Sequence, residues 1–559
     1  MSWSVREALE GRRILLTGVT GFLGKVWLAH LLEAAPGVSR VHLLVRAGRA
    51  RGGARGRLED LLATSPAFWP LHERHGAGLG RFLGARLHVL AGDVASPDLG
   101  LDATTLAGLE GRLDLVLHLA GVTDLEPDVE QALATNVDGA RHALEVARRT
   151  GARLLHVSTA YVAGRRRGLV AERIERDAPS GEALDARAEV EALRRAAARA
   201  REEAAEPDQE RALREAARAA LRRHGERPSV GGATLEEWTG RERDRWVRAR
   251  ADEVARARAR ARGWPNVYTM SKALAEAIVD ETRGDVPVCV VRPSIVEGAL
   301  LRPFPGWKEG LETSGPLTWA MARGPLRSVP ARPDVALDVI PVDFVARGVS
   351  LAAAALLAGR APAVVHLSSA ATNALPVRRA VDLTALAERD EREAGWRGLL
   401  TPGAEVTGDL TYRVTSAPWL RRLAAGARGL LESAGEALPE EGLLARAGAR
   451  ARSLAREAGR AERRLADLEA TVERFRHFLE HDAVFAGDAA QRLHEALDPR
   501  EREAFGFDPR AIDWRRYWLE AHVPGLRRWV WPRLEGHALE RLTRRPVALQ
   551  VPEPVDAGA

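Results

Sequence analysis

RRILLTGVTGFLG, residues 12–24, passes from an apolar β-type run into a glycine turn, and KVWLAHLLEAAPG, residues 25–37, continues it with helical periodicity up to Pro-Gly. Strand, glycine turn and helix follow one another without a gap. Gly18, Gly21 and Gly24 form GxxGxxG, and without side chains there the backbone N–H groups and the helix N-terminus can approach a pyrophosphate. Ordinary tight turns use the same glycines. The placement between this strand and this helix is what favours a nucleotide.

Outward from this unit the alternation continues. VHLLVR (41–46), RLHVLAGD (86–93), LDLVLHLAG (113–121), RLLHVSTAYV (153–162), VPVCVVRPS (286–294) and PAVVHLSS (362–369) are apolar runs separated by helical stretches. Runs buried on both faces imply an α/β, Rossmann-like, doubly wound parallel sheet. The second run ends in Arg46, where an acidic residue would hold a ribose diol. A guanidinium there can grip a 2′-phosphate, which favours NADP(H) over NAD(H). A solvated arginine in the basic loop RAGRARGGARGR is the alternative. Asp93, at the end of the third run, is placed to meet the adenine, or is a turn aspartate.

Composition narrows the class. The 559-residue chain is 46% hydrophobic and carries a formal net charge of +6, enough for two or three domains with ample core. No apolar run approaches the ~18 residues of a membrane span, and MSWSVREALEGRR lacks the apolar region of a secretory signal. A soluble cytoplasmic enzyme is the expectation. The single cysteine, Cys289, excludes an internal disulfide and a cysteine-based metal cluster. Its apolar run reads as a buried strand, so packing is expected of it. The positive charge fits nucleic acid, a membrane surface or a polyanionic small molecule.

NVYTMSK, residues 266–272, stands out because the chain has four tyrosines and, among 83 basic residues of Lys and Arg type, only Lys25, Lys272 and Lys308 as lysine. In such an arginine-biased sequence, a surviving lysine marks a place where arginine cannot substitute. Tyr268 and Lys272 are i and i+4 and share a helical face. An ammonium there can lower the phenol's pKa, and the phenol can give or take a substrate proton.

TGVTGFLG, GDV, HLAG, Asn136 in ATNVDGA, VSTAYV, YTMSK and VRPS together resemble the extended short-chain dehydrogenase/reductases, in the order that family has them. The resemblance implies a catalytic Thr159, Tyr268 and Lys272, with Ser158 preceding the first and Tyr161 a packing or pocket residue. It implies a cofactor site of Gly18, Thr20, Gly21, Phe22, Leu23, Gly24, Arg46, Asp93, Ala120, Tyr268, Lys272 and Ile295, holding NADPH.

One departure sharpens the resemblance. Thr159 and Tyr268 lie 109 positions apart, so a segment of roughly 171–262 is inserted, with helical composition and breaks at Pro207 and around RPSVGG. The insert, LLVR, GDVASPDLGL and VVRPSIVEGALLRPFPGWKEG resemble the alcohol-forming fatty acyl-CoA reductases, as does FDPRAIDWRRYW with PGLRR in 475–531. The implied organisation is a reductase domain over 1–375 and a mainly helical C-terminal domain over 376–559, best matched at 470–531. Residues 390–465 have no assigned place. The implied activity reduces a long-chain acyl-CoA thioester with NADPH, through a hemithioacetal and an aldehyde, to the primary alcohol, releasing CoA. Arginines of the insert would meet the CoA phosphates, and Trp307, Trp319 and the C-terminal tryptophans would wall the acyl chain. Alternatives are a thioester reductase that stops at aldehyde, a nucleotide-sugar or sterol dehydrogenase, and a non-catalytic NADP-sensing protein. No nucleic-acid-binding motif with interleaved aromatics is visible. Peripheral membrane contact and oligomeric state stay open.

Overall fold

The computed structural model describes residues 3–48, 51–223, 234–311, 313–323, 326–392, 404–438, 444–539 and 546–550. Seven strands, β1 (Arg13–Thr17), β2 (Arg40–Val45), β3 (Leu87–Ala91), β4 (Leu115–His118), β5 (Arg153–Val157), β6 (Val288–Pro293) and β7 (Val364–Leu367), form one parallel sheet. Their order is β7-β6-β5-β4-β1-β2-β3. Each lies in one of the seven apolar runs. The order reverses between β1 and β4, and the crevice beyond their carboxyl ends is where a doubly wound sheet binds ligands.

The helices used below are α1 (Phe22–Ala34), α2 (Gly139–Thr150), α3 (Ala186–Ala204), α4 (Pro207–Arg223), α5 (Leu235–Ala261), α6 (Val267–Thr282), α7 (Val342–Leu357), α8 (Ala417–Ala437) and α9 (Ala445–Glu480). Successive strand residues feed opposite cores. Ile14 and Leu16 pack with Leu28 and Leu31 of α1 and Val345 and Val349 of α7, whereas Leu15 packs with Ala143, Leu144 and Ala147 of α2. The sheet is thus covered on both faces, which explains why its strands read as unbroken apolar runs.

The insert contains α3, α4 and α5. Pro207 starts α4, as expected of the break there, while the break around 227–232 falls outside the described residues. Capping fixes two of these helices: Asp185 accepts from the Ala188 amide, and Thr234 with Glu237 closes a capping box on α5. Residues 404–438 and 444–480 contain a helical hairpin of α8 and α9. All but two of the exposed large apolar side chains among the described residues lie in 410–454, the exceptions being Leu169 and Leu301. Among the described residues no helix is long and apolar enough to cross a membrane.

The C-terminal segment is sewn onto the sheet domain. Ala483–Phe485 pairs in parallel with Gly168–Val170, Glu405–Thr407 with Ser328–Pro330, and the Glu501 carboxylate accepts from Ser4 Oγ at 2.8 Å and the Val5 amide at 2.7 Å.

Candidate active site

The glycine turn is shaped by close backbone approach. Gly18 has φ +77°, and a Cβ on it would lie 2.6 Å from the Ala120 amide nitrogen. One on Gly24 would lie 2.2 Å from the Gly18 carbonyl oxygen. Only glycine fits either position. Gly21 is the N-cap of α1 and offers no side-chain cap, so the first N–H groups of the helix face the crevice. Gly18, Gly21, Phe22, Leu23 and Gly24 line a cavity of about 340 Å³, and across it stand Ser158, Thr159, Tyr268, Lys272 and Ile295. Thr20 and Ala120 do not line it; the Ala120 amide donates to Thr17 Oγ1 at 3.2 Å. Arg46 and Asp93 lie at the tips of neighbouring strands, 4.0 Å apart across their charges, on the flank where an adenosine half would run. The Arg46 side chain is 65% exposed, within reach of a phosphate that would compete with Asp93 for it. The donor set fits a dinucleotide: a backbone cradle for the diphosphate, a cation at one end and a buried ammonium at the other.

Helix α6 carries the tyrosine and the lysine. Asn266 caps it, accepting from the Thr269 amide at 2.9 Å, which fixes the first turn. The Lys272 ammonium is buried and donates to the Val157 carbonyl at 2.7 Å. Burial lowers its pKa to about 8, opposed by the Glu276 carboxylate. Tyr268 moves the other way from the sequence expectation: burial pushes the phenol up to about 12, and the restraining influence is its hydrogen bond with Thr159. Desolvation of the phenolate outweighs the neighbouring lysine, whose ammonium is directed at a carbonyl. Thr159 follows β5 and caps the short turn Ala160–Ala163, accepting from the Tyr161 amide at 3.3 Å. Ser158 Oγ is buried in the cavity wall with no hydrogen-bond partner, a polar atom that a ligand would satisfy.

Two networks hold α6 in place. Asn136, in the π-helical turn Leu133–Asp138, accepts from the Val122 amide at 2.8 Å and donates to Ser271 Oγ at 2.9 Å. Ser271 Oγ in turn donates to the Tyr268 carbonyl at 2.8 Å. One turn beyond Lys272, Glu276 receives the Arg292 guanidinium of β6 at 2.6–3.1 Å, with both side chains nearly inaccessible. The second network was not foreseen from sequence, although a Glu four residues after the Lys and the Arg of VRPS were in view.

The apolar wall differs from expectation. Trp307 is buried against Phe22, ring centroids 5.1 Å apart, and Trp319 bonds Glu535 near the surface; neither lines the cavity. The wall is instead Phe475, Phe478 and Leu479 at the end of α9, with Leu125, Leu317 and Leu337. Tyr161 joins it, edge-on to Phe478 at 4.7 Å and Phe485 at 5.2 Å. The insert arginines are largely engaged in ion pairs: Arg194 with Asp138 and Arg201 with Glu130 dock the insert, and Arg258 with Glu189 ties two of its own helices together. Cys289 is fully buried on β6, and burial pushes its thiol up to about 12, which suits packing and not nucleophilic attack.

Residues 16–349 match the NAD-binding profile of the family described as male sterility protein, and residues 451–532 match a second profile with that description. The chain is 28% identical over 548 residues to fatty acyl-CoA reductase 2, chloroplastic, of Arabidopsis thaliana, covering 95% of this chain and 79% of the relative. It is 28% identical over 530 residues to the alcohol-forming fatty acyl-CoA reductase of Simmondsia chinensis, covering 94% and 98%. Among solved structures, the reductase domain of a non-ribosomal peptide synthetase from Mycobacterium tuberculosis aligns with TM-score 0.47 and 20% identity over 95% of each chain. The cofactor site is accordingly one for a nicotinamide dinucleotide.

Proposed function

The chain belongs to the male sterility protein family, and from that premise we propose that it is an alcohol-forming fatty acyl-CoA reductase using NADPH. The observation that carries this reading is the single cleft in which a glycine cradle faces Thr159, Tyr268 and Lys272 beneath an apolar wall from α9. The balanced reaction takes one acyl-CoA, two NADPH and two protons to the primary alcohol, CoA-SH and two NADP⁺.

The turn at Gly18–Gly24 would hold the cofactor and Arg46 would meet its 2′-phosphate; when bound, the cofactor supplies hydride. Thr159 and Tyr268 donate hydrogen bonds to the thioester oxygen and stabilise charge that develops on it. Tyr268, kept protonated to about pH 12, is the acid that gives its proton to the alkoxide oxygen. Lys272, the one ammonium of α6, would hold the nicotinamide ribose. With Cys289 sequestered, the CoA thiolate leaves from the reduced thioester carbon without a covalent enzyme intermediate. Phe475, Phe478 and Leu479 exclude water from that carbon and receive the acyl chain.

A cytoplasmic location with peripheral membrane contact belongs to the same reading. Trp419, Leu423 and Leu430 recur at helical spacing on α8 and are exposed. Arg446, Arg450, Arg460 and Arg464 are exposed along α9 and make no ion pair among the described residues, which suits an anionic lipid surface.

The deciding measurement is stoichiometry with palmitoyl-CoA. Two NADPH consumed per CoA released, with little aldehyde trapped by a hydrazine reagent, is the expected result. One NADPH per CoA with accumulating aldehyde would make this an aldehyde-forming thioester reductase.

A further inference from the structure

Two sequence motifs, PFPGW and PGLRR, touch each other and together reach the cofactor turn. The loop at 303–309 leaves the strand Ile295–Glu297 and folds back on it, the Gly306 amide donating to the Ala299 carbonyl at 2.8 Å and the Ala299 amide to the Trp307 carbonyl at 2.9 Å. Its outer side sits on the C-terminal segment without room for a side chain. A Cβ on Gly525 would lie 1.9 Å from the Gly306 carbonyl oxygen, and one on Gly306, at φ +77°, would lie 2.3 Å from the Ala521 carbonyl oxygen. Tyr517 Oη donates to the Gly298 carbonyl at 2.6 Å, and the Phe304 ring lies 5.9 Å from that of Trp529.

The inner side of the loop grips the first turn of α1 at three points. Trp307 packs on Phe22, the Lys308 ammonium lies 5.0 Å above the same ring, and Glu309 pairs with Lys25. Lys25 follows Gly24 directly and is only 3% exposed, whereas Glu309 is 42% exposed. Without Glu309 the Lys25 ammonium would be left buried and unpaired, a cost relieved by a shift of the first turn or by loss of the proton. Lys308 is itself anchored, donating to the Val296 carbonyl at 2.8 Å and lying 3.3 Å from Glu297.

We propose that the loop at 303–309, seated on the C-terminal segment at Gly525, is a clamp that holds the diphosphate-binding turn of α1, and that Glu309 and Gly525 are positioning residues for the nicotinamide cofactor. The C-terminal segment thereby acts on cofactor binding as well as on the acyl wall. This rests on the nicotinamide site of the reading above, so binding is measured on the full chain with NADPH alone, by calorimetry, before any acyl substrate is added.

Glu309→Gln and Gly525→Ala are each expected to raise the NADPH dissociation constant by about fivefold or more. For Glu309→Gln, kcat at saturating NADPH should stay within about twofold, and Glu309→Asp should recover part of the affinity. Gly429→Ala, on α8 where a Cβ meets nothing within 4 Å, should bind as the wild type does. A general loss of stability would lower the thermal midpoint and the active fraction without moving the dissociation constant. If Gly525→Ala does not fold, the partly exposed Glu309 carries the test. Folded Glu309→Gln with unchanged NADPH affinity overturns the clamp and leaves the reductase reading standing. A wild-type chain that binds no NADPH overturns both.

Discussion

Replacing Lys272 by methionine separates the charge from the packing. The ammonium is 4% exposed and its pKa falls from 10.5 to about 8, so holding it charged in the fold costs about 3 kcal/mol relative to water. Methionine removes that cost and fills much of the stem's volume. It also leaves the Val157 carbonyl without the donor it has at 2.7 Å, a loss of about 1–3 kcal/mol. The two effects oppose at similar size, so Lys272→Met should melt within a few degrees of wild type. Function should not survive: a charge-assisted contact contributes about 1.5–3 kcal/mol, and losing it should lower kcat/KM for NADPH by roughly ten- to a hundredfold. The pH profile makes the assignment specific. Lys272 loses its proton as pH rises through about 8 while Tyr268 keeps its own to about 12. Wild-type kcat/KM for NADPH should therefore fall above about pH 8, and the residual rate of Lys272→Met should be flat there. Stability moves oppositely. Between about pH 8 and 10.5 the unfolded lysine binds the proton that the folded one has released, so this group makes the fold more stable as pH rises, and the variant lacks that rise. Initial rates of NADPH oxidation with palmitoyl-CoA and thermal melts over the same pH range measure both. Activity within about threefold of wild type, or a residual rate that keeps the break near pH 8, would refute the reasoning.

Four further outcomes are expected. Arg46→Ala should weaken NADPH by roughly ten- to a hundredfold and NADH hardly at all; equal losses would remove Arg46 from the 2′-phosphate. Glu276→Gln leaves the buried Arg292 guanidinium uncompensated and should cost about 3–5 kcal/mol in urea unfolding, a loss under about 1 kcal/mol being incompatible with the network described. Burial holds His30, His118, His366 and His477 each at about 3. The unfolded chain therefore binds more protons below about pH 6.5, and the thermal midpoint should fall steadily from there toward pH 4.5; a flat profile would contradict their burial. Leu423→Glu with Leu430→Glu should reduce co-sedimentation with vesicles containing anionic phospholipid, and unchanged binding would exclude α8 as the contact.

The sheet was legible because both of its faces are buried, so each strand is written as an apolar run whatever its neighbours are. Tyr268 and Lys272 stood out because they lie one helical turn apart in a chain that uses both residues sparingly, and the structure sets them with Thr159 along one cavity. The acyl wall was not. Phe475, Phe478 and Leu479 sit at the end of a 36-residue helix whose pattern says only that this end is buried, and the cavity they face is set by pairings distant in sequence. The direction of the Tyr268 shift was hidden for the same reason: i, i+4 spacing brings a cation near a phenol but says nothing of how completely both are cut off from water.

Lysine scarcity reached further than the motif that first drew attention to it. Lys272 lines the cleft, Lys308 stands over Phe22 and Lys25 pairs with Glu309, so all three lysines gather around one cofactor turn. Each is nearly inaccessible, in a chain whose surface cations are arginines. A compact ammonium on a slender stem can be enclosed beside a carbonyl, a ring or one carboxylate. A guanidinium with five donors in a plane would leave several of them unpaired in the same space. At these three positions burial therefore leaves no room for the fork. This makes Lys25, which follows the last turn glycine and was counted in the sequence without a role, as informative about the cofactor helix as the glycines themselves.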